Sequence, residues 1–260
     1  DSAKIVFAFG GDGCMASSPV YLSIDKDKKQ SKIFTANTGI ALENDMRAKC
    51  AYKDQLDRAY ILYRDVSFEK YPNYTLRIFA IYAVKDQVGD FITPLTYDDG
   101  TLNGHRHEWE HAATWLKNGL PLYVSVTHHK DLISKPSAEV PNLAGHNNWF
   151  AVKYIRGTIP IPHPFDCNIP FPKGIASHYP DFAAGDEENG ELIARNKNPT
   201  PSGQWFGESD NDYIDYDSTD NDFRKIIDNR KNWGSTVPRI NDINYFLSHK
   251  PPGWHGPSKI

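Results

Sequence analysis

The run Tyr74–Val84, YTLRIFAIYAV, sets the first constraint on the fold. It is dominated by aromatic and β-branched residues, the usual content of half-buried strands. Tyr60–Val66 has similar content, and Leu120–Val126 is another apolar strand candidate. Lys4–Phe9, KIVFAF, reads as a buried strand closed by a glycine turn. Trp109–Leu116 fits either a strand or a short helix. Aromatics make up 13% of the chain, and Gly and Pro number 18 each. Many short elements joined by turns fit that profile better than a helical bundle. A chain of 260 residues can bury one sizeable core, so a single domain over 1–260 is expected. No internal repeat or separating linker interrupts it.

Other stretches read as connections. Gly11–Ala16, GDGCMA, offers a superficial GxGxxA nucleotide turn, but Pro19 follows and no helix pattern opens. Asp25–Gln30 is a polar loop, and Gly89–Asn103 is turn-rich. Thr158–Lys173 carries five prolines, which block regular interior strands and helices. Gly185–Asp222 is acidic and expected to be mostly loop. Its cluster SDNDYIDYDSTDND has oxygen ligands for calcium, yet lacks the glycine and distal glutamate of an EF-hand loop. A solvated acidic loop is the better reading. Helices are expected at Asn221–Asn229 and Ile240–His249.

The bulk properties exclude some functions. A formal net charge of -4 argues against nonspecific nucleic-acid binding and polybasic adhesion to anionic lipid. No apolar run approaches the roughly 20 residues of a transmembrane helix. The start, DSAKIVFAF, has no basic segment or long apolar run, as expected of a mature N-terminus after signal removal. The three cysteines, Cys14, Cys50 and Cys167, give one disulfide and a leftover thiol in a secreted protein, or three buried thiols in a cytosolic one. Asn73-Tyr74-Thr75 is a glycosylation sequon, a pattern that often arises by chance.

Chemistry concentrates in Gly104–Glu110, GHRHEWE, with His111 just beyond. Beside the bland reading of a polar loop edge stand two sharper ones. His107-Glu108-Trp109-Glu110-His111 matches HExxH; on a helix, the two imidazoles would hold zinc while Glu108 activates water. That reading predicts an amphipathic helix and a third ligand, but the segment soon meets Asn118-Gly119. In extended form, alternate side chains share a face, so Glu108 and Glu110 point together. His105, in the loop before them, then completes a site of carboxylates and one imidazole. Such oxygen-rich ligation favours magnesium, calcium or manganese over zinc. Arg106 would balance the local negative charge, and His107 would have a secondary role.

GHRHEWE closely resembles GHRHDWE, the heptapeptide of the necrosis- and ethylene-inducing peptide-like (NLP) proteins. DGCMASSPV around Cys14 resembles that family's first cysteine segment, and Cys50 lies at a plausible place for its disulfide partner. Ile78–Asp86, IFAIYAVKD, resembles the aromatic strand ending in Pro-Lys-Asp. Tyr123–His129, YVSVTHH, resembles the strand ending in Ser-Ala-His. Asn232–Asn244, NWGSTVPRINDIN, with Tyr245-Phe246 following, resembles the C-terminal FGxAxxPFxDxNF signature. These segments keep the family order.

The resemblance implies a mainly β fold: a central β-sandwich with flanking helices and a divalent ion, magnesium or calcium, in a surface cavity. It implies the ligands Asp86, His105, Glu108 and Glu110, with Arg106, His107 and His129 lining the cavity, and a Cys14–Cys50 disulfide. It also implies a secreted, non-enzymatic, monomeric cytolysin. Such a protein binds sphingolipid sugar headgroups of plant membranes and permeabilises them. The chain departs from the pattern in several places. Glu108 replaces an aspartate, Val84 replaces a proline, and the stretch between Asp86 and His105 is long, so that Asp98 or Asp99 could substitute for Asp86. Loop insertions are expected near 87–103 and 185–222. Ile159 stands where a membrane-contacting tryptophan is expected, which keeps a non-lytic glycan- or lipid-binding relative in view. Trp149, Trp205 and Trp254 are candidates for a lipid interface or, more often, for packing. Trp109 and Trp115 share the strand parity opposite to Glu108 and Glu110, as core residues would. Cys167 is expected to be buried.

Overall fold

The aromatic run beginning at Tyr74 becomes one of two long strands that organise the fold. The computed structural model describes residues 3–9, 14–25, 31–43, 49–51, 53–87, 104–128, 131–143, 145–159, 175–182, 187–188, 191–192 and 205–260. In chain order the first strands are β1 (Lys4–Phe9), β2 (Val20–Asp25), β3 (Ser31–Ala36), β4 (Ile61–Ser67) and β5 (Tyr74–Gln87). Then come β6 (Gly104–Lys117), β7 (Leu120–His128), β8 (Asp131–Pro136), β9 (Trp149–Ile159) and β10 (Ile175–Phe182). The short β11 (Glu187–Glu188), β12 (Glu191–Leu192) and β13 (Tyr213–Asp215) complete the set. Helices are few: α1 (Lys53–Leu56), α2 (Asn221–Asp228) and α3 (Ile243–Ser248).

The central six-stranded sheet has the order β13-β4-β5-β6-β7-β8, and a three-stranded sheet has the order β1-β9-β10. Both faces of the central sheet are covered. On one face, Leu76, Ile78, Ala80 and Tyr82 of β5 join Trp109, Ala113 and Trp115 of β6. Phe223, Trp233, Phe246 and Trp254 pack over them. On the other, Phe79, Ile81 and Ala112 meet Ile5, Phe7 and Phe9 of β1 and Phe150, Val152 and Tyr154 of β9. This double burial explains why IFAIYAV is continuously apolar instead of alternating. The expected mainly β architecture with flanking helices is therefore the one observed.

The strand β6 resolves the ambiguity at Trp109–Leu116. Its residues have fair helix propensity, but pairing with β5 and β7 on its two edges outweighs that preference. Asn118 and Gly119, with φ of 51° and 78°, form the tight turn into β7, where positive φ at both central positions matches the twist of a hairpin. The helical zinc reading of HEWEH is accordingly corrected: both histidines lie on a strand and point to different partners. His107 Nδ1 is 2.7 Å from the Tyr82 hydroxyl, while His111 Nε2 accepts the Arg239 N–H at 2.9 Å.

The acidic stretch, expected to be mostly loop, carries short ordered elements over 205–222. Tyr213–Asp215 pairs in parallel with β4, and Tyr216 is buried. The carboxylates serve as caps: Asp212 accepts from Gly207 N and Ser209 N, and Asp215 accepts from Asp217 N. The tryptophans are packing residues. Trp254 meets Trp115 at 4.7 Å between ring centroids, and Trp205 is buried. Trp149 stacks on His146 at 4.0 Å with Lys4 Nζ 4.4 Å from its ring. Cys167, Asp98, Asp99 and the loop over 89–103 lie outside the described residues, as do most of the proline-rich stretch and of 185–204.

Cys14 and Cys50 are joined by a disulfide. The bridge holds the segment after Cys14 against the end of β5, where Met15 N donates to Cys50 O and Ser17 N to Tyr82 O. Ile40 N donates to Val84 O on the same edge. With a sequence separation of 36 between the cysteines, the unfolded chain is restricted substantially by the link. Replacing both by serine is expected to cost roughly 2–4 kcal/mol in urea unfolding. An unchanged midpoint would show that the bridge constrains nothing.

A second expectation concerns acid. Burial, then the nearby Arg239, push His111 down to about 3 from an ordinary 6.5. The unfolded chain therefore binds the proton first. This contribution to stability is complete above pH 6.5 and is lost as pH falls toward about 3, at up to about 1.4 kcal/mol per pH unit. His111→Gln keeps an acceptor for Arg239 N but cannot titrate. Its stability should fall less steeply than the wild type's between neutral pH and pH 4, and parallel profiles would refute the assignment.

Candidate functional site

A regular strand would put His105 on the face of Trp109 and put Glu108 with Glu110 on the other. His107 breaks that alternation. Its φ is 65°, in the left-handed region that residues with a Cβ rarely enter. The ladder pairs Ala83 with Glu108 and Lys85 with Arg106, and skips Val84 and His107. The Val84 carbonyl is instead used by Ile40 N. Beyond this point His105 swings to the Glu108 side: its Nε2 lies 3.2 Å from Glu108 Oε2. Such a backbone outlier costs on the order of 1–3 kcal/mol and persists only where its surroundings hold it. Here Tyr82 holds the ring through its hydroxyl, and Trp233 contacts it edge-on at 5.7 Å.

Asp86 completes the group from β5, in register with His105. One ligand atom each from Asp86, His105 and Glu108 lies within 4.8 Å of the others. His105 is thus part of the strand instead of a preceding loop, and Asp86 lies in this group, while Asp98 and Asp99 lie outside the described residues. Glu110 stands beside this group but outside it; its Oε2 accepts from the Thr127 hydroxyl. His129 lies outside the described residues. Arg106 is exposed and turns to the opposite flank, its Nη1 3.5 Å from Thr38 O. His107 is buried, and burial, Arg106 and His105 push it down to about 4.

The chemistry of the donors can be tested against a cation. His105 Nδ1 is 2.8 Å from the His107 carbonyl and must donate there. Its Nε2 therefore faces Glu108 either protonated or with a lone pair, and a lone pair beside a carboxylate calls for a proton or a metal cation between them. Donation of the far ring N–H to a backbone carbonyl is the common arrangement of a metal-bound histidine. Glu108 is buried; that burial, with His105 opposing it and Asp86 reinforcing it, pushes the carboxyl up to about 7. Glu110 is raised well above its ordinary value, first by burial and then by Glu108. Three carboxyl groups converging in a half-dry place repel one another unless a positive ion offsets them. Two carboxylates and one imidazole suit an oxygen-seeking divalent ion, so the residues fit the group.

Two cavities meet at His105. One, of about 250 Å³, is lined by Glu108, Glu110, Thr127, Thr236 and Arg239. The other, of about 560 Å³, is lined by Thr38, Arg106, His107 and Lys231. Thr236 was not foreseen in the sequence. Its hydroxyl lies 3.3 Å from Glu108 Oε1, and the Trp109 N–H is shared between that hydroxyl and Glu108. Thr127 plays the same part for Glu110. The segment GSTVPRIND could have pointed to Thr236, since it arrives at the heptapeptide as a unit.

Residues 8–248 match the family model described as Necrosis inducing protein (NPP1). No curated protein matches the chain. Among solved structures, it is similar to Necrosis and Ethylene inducing Protein 2 from the causal agent of cocoa's Witches Broom disease. That likeness has 19% identity and a TM-score of 0.57, over 95% of this chain and 88% of that one. It is also similar to NLPPya in complex with mannosamine, at 14% identity and a TM-score of 0.57 over 96% and 87% of the two chains. A third is the non-toxic HaNLP3 protein, at 14% identity and a TM-score of 0.52 over 92% and 83%. At such identities the structures establish the fold. The family match, spanning nearly the whole chain and containing the heptapeptide, the disulfide and the C-terminal segment, places this protein in the necrosis-inducing (NPP1) family of NLP toxins.

Proposed function

We propose that the protein is a secreted, metal-dependent cytolysin that binds sphingolipid sugar headgroups of plant membranes and permeabilises them. The observation that carries this reading is the convergence of buried Asp86 and Glu108 with half-buried His105, beside a cavity that His105 and Glu108 line. These three residues would hold a magnesium or calcium ion, with Glu110 as a fourth ligand or as the neighbour that tightens the site through Thr127. The bound ion would offset the carboxylates and offer open positions to sugar hydroxyls. Structures of similar proteins with mannosamine and glucosamine support a sugar as the ligand class. The disulfide is in keeping with an oxidising, extracellular setting. Among the described residues no helix is long and apolar enough to cross a membrane, so docking through the cavity face is the proposed mode of attachment. The reading is one of binding and lysis, with no covalent chemistry assigned to any residue, and the protein would act as a monomer.

A second reading is kept by one observation: a structure of similar fold is described as non-toxic. In that case the protein binds a headgroup without opening the bilayer.

Two measurements test these readings. In calorimetric titrations the wild type should bind magnesium or calcium saturably, and Asp86→Asn or Glu108→Gln should weaken binding roughly tenfold or more. Equal affinity in both variants would remove the residues from the ligand set. In dye-release assays on plant-sphingolipid vesicles, release should require the ion and stop on chelation. Metal-dependent vesicle binding without release supports the non-lytic reading. Absence of both leaves neither standing.

A further inference from the structure

The cytolysin reading assigns no role to the sequon Asn73-Tyr74-Thr75. The other Asn-x-Thr tripeptide of the chain, Asn198-Pro199-Thr200, is blocked by its central proline, and the chain has no Asn-x-Ser. Asn73 is therefore the single acceptor, and it lies in the connection from β4 to β5. Two turns in succession build that connection: Tyr71 N donates to Phe68 O and Tyr74 N to Tyr71 O, each at 2.9 Å. Pro72 and Asn73 fill the central positions of the second turn, where the fixed φ of proline and the tolerance of asparagine for turn backbone both suit. Asn73 O also accepts from Asn118 N at 2.7 Å, in the turn between β6 and β7. The backbone is thus held from two sides, while the Asn73 side chain is exposed.

An aromatic platform stands beside it. Tyr71, two residues before the acceptor, is exposed. Its ring meets Tyr74 edge-on at 6.3 Å, Tyr74 meets Trp254 at 5.4 Å, and Trp254 meets Trp115 at 4.7 Å. The exposed ring is the outer end of a packed row, so it is held in place. Leu120 is exposed at the same end of the sheet, paired with Lys117, which in turn pairs with Tyr74. The C–H face of a pyranose is apolar enough to pack on such a ring. Along β5, Asn73 and Asp86 lie roughly 40 Å apart, at about 3.3 Å per residue of strand. A sugar chain on Asn73 would stand at the opposite end of the sheet from the ligand group.

We propose that Asn73 carries an N-linked glycan whose first sugar packs on Tyr71 and covers this apolar end of the sheet. The donor is a lipid-pyrophosphate-linked oligosaccharide. The Asn73 Nδ2–C1 bond forms as the sugar C1–O bond breaks, the lipid pyrophosphate leaves with the electron pair, and the amide proton passes to a base of the transferase. Because that donor belongs to the secretory lumen, the inference rests on the secreted reading above.

The test secretes the full chain from yeast behind a fused, cleavable signal peptide, so that its outcome does not depend on where the natural chain resides. The product should be heavier than the polypeptide by a glycan that peptide N-glycosidase removes, leaving aspartate at position 73. Asn73→Gln and Thr75→Val should lose the whole enzyme-sensitive excess, and Thr75→Ser, which keeps the hydroxyl, should retain part of it. The glycoprotein should melt about 2–4 °C above its deglycosylated form, and Tyr71→Ala should erase that difference. A secreted chain without the sugar, or an Asn73→Gln variant that keeps the enzyme-sensitive excess, overturns the site. Equal melting of the two wild-type forms overturns the packing on Tyr71. A sugar-free chain with its Cys14–Cys50 bridge formed, active on plant-sphingolipid vesicles, refutes the glycan and leaves the cytolysin reading intact. A glycosylated chain that neither binds nor leaks such vesicles does the reverse.

Discussion

Carboxylates brought together away from water repel one another and resist ionisation unless a positive charge shares the space. That constraint governs the open end of the central sheet. Asp86 comes from β5 and Glu108 and Glu110 from β6, so the two longest strands must keep their register to bring the acids together. Thr127 from β7 and Thr236 from the C-terminal segment then supply hydroxyls to the carboxylates. The tryptophan pair Trp109 and Trp233, 5.3 Å apart, closes the floor beneath. The left-handed backbone at His107 is what lets a histidine from the wrong face of the strand join the acids. Its cost is offset by a buried ring with a hydroxyl partner.

The sequence made much of this legible, for identifiable reasons. Long runs such as IFAIYAV announce strands because a sheet covered on both faces tolerates little polarity, and β5 and β6 are such strands. The pairing of ligand types in GHRHEWE pointed to a metal group for the same reason: so many ionisable side chains rarely converge without an ion. What could not be read was backbone detail. Nothing in a histidine announces φ of 65°, so the placement of His105 with Glu108 does not follow from counting residues along a strand. The short elements inside the acidic stretch could not be read because aspartates that cap turns look the same, in sequence, as aspartates facing water. Tyr213, half-buried, and Tyr216, buried, were the signal there, since packed aromatics anchor a segment even among aspartates.

Family and fold leave the activity open. The structures of similar fold include complexes with amino sugars and a protein described as non-toxic, so the scaffold alone does not fix what its bearer does. Glu108 in place of aspartate illustrates how such divergence arises. The longer side chain reaches His105 from a position backed by the Thr236 hydroxyl.

The disulfide has a meaning beyond chain entropy. Beyond Ala80, the last residue of β5 paired with β4, the strand runs on with its outer carbonyls taken by Ser17 and Ile40, one from the segment that Cys14 anchors. Those few hydrogen bonds are what cover the outer edge of a long, apolar strand. An uncovered edge of that kind is a template for pairing with another chain. The disulfide thus anchors one of the two segments that shield this edge, so that a link between two loop cysteines also serves as the guard of a strand.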